Sequence, residues 1–253
     1  MTMSLAAIFK RGLKRFLAAR GYEIYRRPYL PKGADAFESL RAHWPAWQPR
    51  VIFDVGANVG QTVGRLRPLF PTAEIYSFEP VPRSYAELLG KVGRDPHVHP
   101  QLLALGGQPG EAWINVHPSS DQSSLITPPG DPKSAALDRC RVQLETAAGF
   151  CGRKGITRID LLKIDVEGYE IPVVQGAASL FAANAIDFIV VEAGLPPDRP
   201  RFTPLTELTR SLEPHGFHLV GIYEQYGRRF RQTAEWCNAA FAHERHLTPG
   251  SNT

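Results

Sequence analysis

Two stretches, IDLLKID at 159–165 and IDFIVVE at 186–192, are almost unbroken apolar runs that close on acids. Runs without polar alternation fit strands buried on both faces, and such strands belong to parallel sheets covered by helices on each side. The spacing between the two runs supplies that cover, with a helix predicted from about Tyr169 to Phe181. The same alternation starts at residue 49. RVIFDV is predicted as a strand, QTVGRLRPLF as a helix closed by Pro71, EIYSFE as a strand and PRSYAELLGKV as a helix. HVHPQLLAL is the third predicted strand, in which His97 and His99 read as strand residues rather than metal ligands. EAWINVH and RCRVQLE follow as strands, with a short helix over TAAGFCGRKG. Beyond a PPDRP linker come a helix near PLTELTRSLEPHG and two strand-like segments, FHLVGIYE and AEWCNAAFA. There is no internal repeat, and the pattern is that of an α/β domain.

At 253 residues the chain is long enough to bury a full core. Its net charge of +4 is mild and its basic residues are scattered, so nothing calls for a nucleic-acid partner. Cys140, Cys151 and Cys237 form no CxxC pair, which points to reduced thiols and a cytoplasmic setting. No stretch reaches the roughly 20 apolar residues of a membrane span. Residues 1–48 read as a helical extension ahead of the domain at 49–253. Within it Leu5, Ile8, Phe9, Leu13, Phe16 and Leu17 recur near helical spacing, interleaved with Lys10, Arg11, Lys14, Arg15 and Arg20. Such a basic amphipathic helix suits either an anionic membrane surface or the flank of its own domain, and the second use is the commoner one.

Ligands of parallel sheets sit beyond the carboxyl ends of the strands. Here those ends carry acids: Asp54 on the first strand, Glu79 on the second, Asp165 and Glu167 on the fourth, Glu192 on the fifth. A single acid there usually caps a helix, but the repetition points to a site. The first turn, VIFDVGANVGQT, has Gly56 and Gly60 four apart and spells DxGxNxG rather than the GxGxxG of a dinucleotide cradle. Gly56 lets backbone approach a ligand, and Gly60 opens a helix with free N–H groups. Glu79 is placed to accept ribose hydroxyls. The turn favours S-adenosylmethionine over NAD, because a sulfonium amino acid needs no pyrophosphate cradle, and Asp54 can hold its ammonium group.

DVGANVGQT, FEPVPRSYAEL, SSL at 123–125 and DLLKIDVEGYEIPVVQGA together resemble the FkbM-type S-adenosylmethionine-dependent methyltransferases. The likeness runs from about residue 49 to 194 and more weakly to the NAAF near the C-terminus. It implies a Rossmann-like class I methyltransferase fold, a mostly parallel seven-stranded sheet with helices on both faces. It also implies O-methylation of hydroxyls on sugars, glycolipids, polysaccharides or polyketides. By motif, Asp54, Gly56, Asn58, Gly60 and Gln61 are assigned to the methionine side and Glu79 to the ribose. Ala104 and Leu105 would flank the adenine, while Asp165 and Glu167 would face the reacting centre. Two positions depart from the family: Ala147–Ala148 after Thr146, where an acid is usual, and Asn238 where an acid precedes the last strand's A-L-F.

An alcohol must lose a proton to accept a methyl group, so a base or an acidifying metal is required, and Asp165, aided by Lys163 or Glu192, is expected to position the hydroxyl and help remove its proton. Lys163 and Asp165 share one strand face, and Asp165 and Glu192 end adjacent strands, an arrangement similar to that by which catechol O-methyltransferase holds magnesium. The oxygen donors suit magnesium, but an ion pair between Lys163 and Asp165 is an equal reading. SSDQSSLITPPGDPKS is expected to cover the acceptor cleft. Two other functions stay open: a catalytically silent S-adenosylmethionine-binding module, and a nicotinamide-dependent oxidoreductase.

Overall fold

The computed structural model describes residues 16–17, 19–20, 33–116, 138–197, 201–227 and 233–247. The basic amphipathic stretch and the SSDQSSLITPPGDPKS segment lie almost wholly outside these. The first helix, α1 (Ala36–His43), starts where the Asp35 carboxylate accepts the Glu38 N–H at 2.9 Å. It buries Ala36, Phe37 and Leu40 against the sheet's last two strands.

Strand β1 (Val51–Val55) leads into α2 (Gln61–Leu66). The helix stops short of the predicted Phe70 because the Arg67 side chain turns back to hold the Phe70 and Ala73 carbonyls, at 3.1 and 2.8 Å. Next come β2 (Glu74–Phe78) and α3 (Pro82–Val92), which has Pro in its first turn, where no N–H is needed.

The expected third strand over 97–105 is two strands, β3 (Val98–Gln101) and β4 (Ala104–Leu105). β2 ends at Phe78, paired with Gln101, so the chain beyond has no main-sheet partner. It crosses instead to a small sheet of β4, β5 (Gly110–Val116) and β6 (Asp138–Glu145), in the order β4-β6-β5.

α4 (Ala147–Lys154), β7 (Ile159–Ile164), α5 (Glu170–Gln175) and α6 (Ala178–Ala182) follow. The helix predicted from Tyr169 to Phe181 is thus broken at Gly176. A Cβ there would lie 2.0 Å from the Gly106 carbonyl oxygen, so only glycine lets the helix pair meet the loop after β4. The remaining elements are β8 (Ile186–Gly194), α7 (Leu205–Leu212) with a 3₁₀ turn after it, β9 (Phe217–Gly227) and β10 (Ala234–His243).

The main sheet has seven strands in the order β3-β2-β1-β7-β8-β10-β9, all parallel except β10. Every residue of β7 and β8 is buried, as unbroken apolar runs require. Phe53, Phe150, Ile164, Val191 and Phe217 pack on one face with α4 to α7. Ile52, Leu66, Leu161, Phe188 and Phe37 pack on the other with α1 and α2. This is the Rossmann-like class I methyltransferase architecture that the resemblance implied.

Both long runs open with Ile-Asp, and these early acids hold the amino ends of the strands together. Asp160 accepts the Arg50 and Val51 N–H groups at 2.7 and 2.9 Å. Asp187 gathers Arg158, Arg245 and His246. Glu74 is bonded by His97 at 2.7 Å and His99 at 2.6 Å, so both histidines serve a hydrogen-bonded cluster. Among the described residues, no helix is long and apolar enough to cross a membrane.

Candidate functional site

At the opposite, carboxyl end of the strands lies a cavity of about 790 Å³. The switch point between β1 and β7 places it, because the chain leaves these neighbours in different directions. The Gly56–Gln61 turn forms one wall. Gly56 has φ of +84°, and a Cβ on it would lie 1.8 Å from the Asp165 carbonyl oxygen, so the turns after β1 and β7 meet backbone to backbone. Asn58 is also left-handed, with φ of 47°. Gly60 caps α2 and lies behind the wall, packed near Leu88.

Glu79 is buried beside this turn. Its two carboxylate oxygens accept the Asn58 N–H at 2.9 Å and the Val81 N–H at 2.8 Å. Burial pushes its pKa up to about 7, against the pull of those two bonds. A carboxylate has about four acceptor positions, so each oxygen keeps capacity toward the cavity. Phe78, Val81, Ala104, Leu105 and Ile114 give an apolar slot next to it.

Asp54 is completely buried and does not line the cavity. It pairs in register with Lys163 on β7, and both side chains share one face. Burial raises Asp54 to about 7, while Lys163 and the Thr62 hydroxyl pull it down. The Lys163 ammonium, itself buried, reaches the Ile164 carbonyl at 3.2 Å and Asp165 at 3.3 Å.

Asp165, Glu167 and Glu192 form the cavity's acidic centre, with a carboxylate oxygen of each within 4.8 Å of the others. Glu167 has φ of 55° and is clamped by the Arg201 guanidinium. Burial raises its pKa to about 7 despite that partner. Glu192 is only 8% exposed, and its Oε2 has no hydrogen-bond partner among the described residues. Burial, then the charges of Asp165 and Glu167, hold Glu192 well above the ordinary carboxylate range. Glu170, the last acid of KIDVEGYE, is structural: it accepts the Gly168 N–H at 3.0 Å and the Thr203 hydroxyl, tying the loop after β7 to the segment that carries Arg201.

Of the sequence-derived candidates, Gly56, Asn58, Gln61, Glu79, Ala104, Leu105, Lys163, Asp165, Glu167 and Glu192 line the cavity, whereas Asp54 and Gly60 stand behind it. The reading missed Arg65, Arg201, Phe202, Glu224, Tyr226, Glu235 and Trp236, which also line it. Glu224 follows the same strand-end rule, since β9 runs parallel to β8. Glu235 and Trp236 escaped because β10 is antiparallel and brings its beginning, not its end, to this edge. Arg65 lies one helical turn after Gln61 and binds Asp35 at 3.0 Å as well as Glu224.

Both departures from the family pattern have structural accounts. The Thr146 hydroxyl accepts the Gly149 N–H at 2.9 Å, so α4 keeps an N-cap, and residues 146–148 do not reach the cavity. Asn238 lies opposite Glu192 and donates to the Glu224 carboxylate, so Glu224 supplies an acid beside the position where the family carries one.

The methyltransferase FkbM domain family matches residues 54–228. The chain is similar to the 2-O-methyltransferase NoeI of Sinorhizobium fredii, with 30% identity over 139 residues covering 50% of this chain and 56% of that protein. The chain thus spans little more than half of that relative's length. It is also similar to the hexuronic acid methyltransferase AglP of Haloferax volcanii, 26% identical over 186 residues and 72% of each chain. Among solved structures, the magnesium protoporphyrin IX methyltransferase of Synechocystis with bound S-adenosylmethionine aligns over 92% of this chain and 96% of that one, at 13% identity and a TM-score of 0.47.

Proposed function

Because the chain belongs to the FkbM family of S-adenosylmethionine-dependent methyltransferases, we propose that it is an O-methyltransferase acting on a hydroxyl of a saccharide-type acceptor. The observation that carries this is the joining, in one cavity, of the glycine turn and Glu79 with an acidic centre whose buried Glu192 has an Oε2 without a hydrogen-bond partner among the described residues. The hexuronic acid named for one relative and the 2-O position named for another support a sugar hydroxyl as acceptor.

The donor set fits the cofactor. Glu79, with acceptor capacity left on both oxygens, takes the ribose hydroxyls, and the slot of Phe78, Val81, Ala104, Leu105 and Ile114 takes a flat base. Asn58 and Gln61 border the methionine side, and the surplus of carboxylates suits a cation. Asp54 contributes from behind, through Lys163 and Thr62. When bound, the cofactor supplies a methyl group on a sulfonium, already activated for in-line displacement.

The chain's own task is then alignment and removal of one proton. Glu192 takes the acceptor's hydroxyl proton: it is buried, its Oε2 has no hydrogen-bond partner among the described residues, and its ionised form, the one able to accept a proton, grows as pH rises toward about 9. Asp165, fixed by Lys163, orients the same hydroxyl, and Arg201 holds Glu167 in place. The three carboxylates also suit a magnesium ion in donor type. Lys163 and Arg201 already neutralise two of them, which favours the proton route.

The test is calorimetry with S-adenosylhomocysteine and with NAD, followed by mass spectrometry of hydroxylated acceptors incubated with S-adenosylmethionine, with and without chelator. Binding and methyl transfer that survive chelation are expected. Binding without product from any acceptor would leave a silent module, and NAD binding alone would leave an oxidoreductase.

A further inference from the structure

Three aromatic rings line the outer part of the cavity, on the side away from Glu79: Phe202, Tyr226 and Trp236. Tyr226 and Trp236 are cross-strand partners of β9 and β10 and stack on each other, with ring centroids 5.3 Å apart and planes 21° from parallel, so the pair keeps only its outer ring faces free. Phe202 lies 6.5 Å from Trp236 at 32°. Its place is prepared by Gly194, which faces Trp236 on β8, because a Cβ on Gly194 would come within 2.9 Å of the Phe202 Cβ. These rings are not core: Tyr226 is 51% exposed, and Phe202 and Trp236 are only partly buried.

Their distance from the acidic centre follows from the register. Asn238 is opposite Glu192 and Trp236 opposite Gly194, so Trp236 stands two residues outward from Glu192 on the same face. At a strand rise of 3.2–3.4 Å per residue that is about 7 Å, the span of one sugar ring and its hydroxyl. Polar groups line the same cavity: Glu235, Glu224, Asn238 and Arg201, whose guanidinium also lies 5.4 Å over Phe202.

We infer that an outer face of the stacked Tyr226–Trp236 pair, with Phe202 beside it, forms the floor on which the ring of the acceptor saccharide lies, its C–H face on the aromatics and one edge hydroxyl at Glu192. This rests on the methyltransferase reading above and names the residues that select its acceptor. The chemistry is that of a pyranose: a C–H face of slightly positive hydrogens, matched by the negative face of an aromatic ring, and a rim of hydroxyls that carboxylates and an amide can bond. A linear polyol offers the hydroxyls without the face. The alternative is that the Tyr226–Trp236 pair only braces the hairpin.

Binding of methyl hexopyranosides to the protein saturated with S-adenosylhomocysteine separates these readings, measured by saturation-transfer NMR on the ring protons, with sorbitol as the acyclic control. Pyranosides are expected to bind and sorbitol not to. Trp236→Ala and Tyr226→Ala should each weaken pyranoside binding about tenfold, leaving S-adenosylhomocysteine affinity unchanged, while Trp236→Phe keeps most of it. Exposed Tyr226 provides a variant that folds even where Trp236→Ala does not. Pyranoside binding unaltered in both alanine variants would overturn the floor and leave the methyltransferase reading standing. Binding of phenol in place of every pyranoside, lost in the same variants, would overturn the saccharide class. Failure of S-adenosylhomocysteine to bind the wild-type protein would overturn both readings together.

Discussion

Replacing Glu192 by glutamine keeps the shape of the side chain and removes its charge, so it separates the chemical role of this residue from its packing. If Glu192 is the base, Glu192→Gln lowers turnover by about 10²–10⁴-fold, the range for lost acid–base help, with S-adenosylhomocysteine affinity intact. The same substitution should make the protein more stable. Glu192 is buried, and burial together with Asp165 and Glu167 raises its pKa above the ordinary 4.5. A carboxylate whose folded-state pKa is raised costs nothing below the unfolded value, where both states are protonated. Its cost grows as pH rises from the unfolded value to the folded value and is complete above that. Each tenfold weakening of the acid is worth about 1.4 kcal/mol. Even one such factor, at about 2–4 °C per kcal/mol in a chain of this size, gives the variant a gain of at least ~3 °C in Tm near pH 9 and none near pH 4. The assays are a pH–rate profile, in which the wild-type rise at its acidic side disappears in the variant, and thermal melts across the same range. Near-normal turnover would remove Glu192 from the chemistry. A lower Tm at high pH would show that its charge is fully compensated, and the argument from burial would fail.

Gly56→Ala should cost at least ~2 kcal/mol and lower Tm measurably, because its Cβ meets backbone 1.8 Å away at a φ of +84°. An unchanged melt would mean that the turns after β1 and β7 can separate freely. Glu79→Ala leaves the Asn58 and Val81 N–H groups without their acceptor and the ribose without its own, so S-adenosylhomocysteine should bind about 1–3 kcal/mol more weakly by calorimetry. With Glu79 near 7, that affinity should also improve in the wild type as pH rises from about 6 to 8 and the charged form prevails, and the improvement should flatten in Glu79→Gln. Asp187 is buried, which raises its pKa, but its bonds to His246, Arg245 and Arg158 outweigh that and leave it below the ordinary 3.8. Its stabilisation is therefore present above that value and is lost as pH falls below it, so Asp187→Asn should lower Tm at neutral pH and narrow the gap to wild type in acid. Equal loss at every pH would assign the effect to packing.

The order of elements was legible because it rests on periodicity, and the Gly56–Glu79 wall of the cavity because it rests on one contiguous turn and one strand-end acid. What escaped depended on contacts between distant segments. HVHPQLLAL gives no local sign that its last residues leave the sheet; the cause is that β2 has ended, and the new partner is Leu144 to Glu145, some 40 residues on. The helix break at Gly176 is likewise set by the Gly106 carbonyl, a contact that the 3.6-residue period cannot report. Arg201 fell between the PPDRP linker and the next predicted helix and drew no reading, because its meaning comes from Glu167, on another loop. Trp236 and Glu235 looked like ordinary strand residues until the direction of β10 was known.

Backbone strain points to the same place. Four non-glycine residues among those described have left-handed φ: Asn58, Glu167, Asn184 and Glu224. Three of them, Asn58, Glu167 and Glu224, line the cavity. Asparagine tolerates this conformation, but a glutamate there costs about 1–3 kcal/mol and persists only where its surroundings fix it. For Glu167 the surroundings are Arg201 and the adjacent Gly168; for Glu224 they are Arg65 and Asn238. Each strained acid is thus held by a guanidinium, and Glu192, whose Oε2 has no hydrogen-bond partner among the described residues, lies opposite Asn238 in the sheet. A protein that needed only a stable sheet would place glycine at 167 and 224. Keeping two glutamates there, each with its own arginine, fixes the positions of charge in the cavity before any ligand arrives, which is the preorganisation that the proposed methyl transfer to an alcohol calls for.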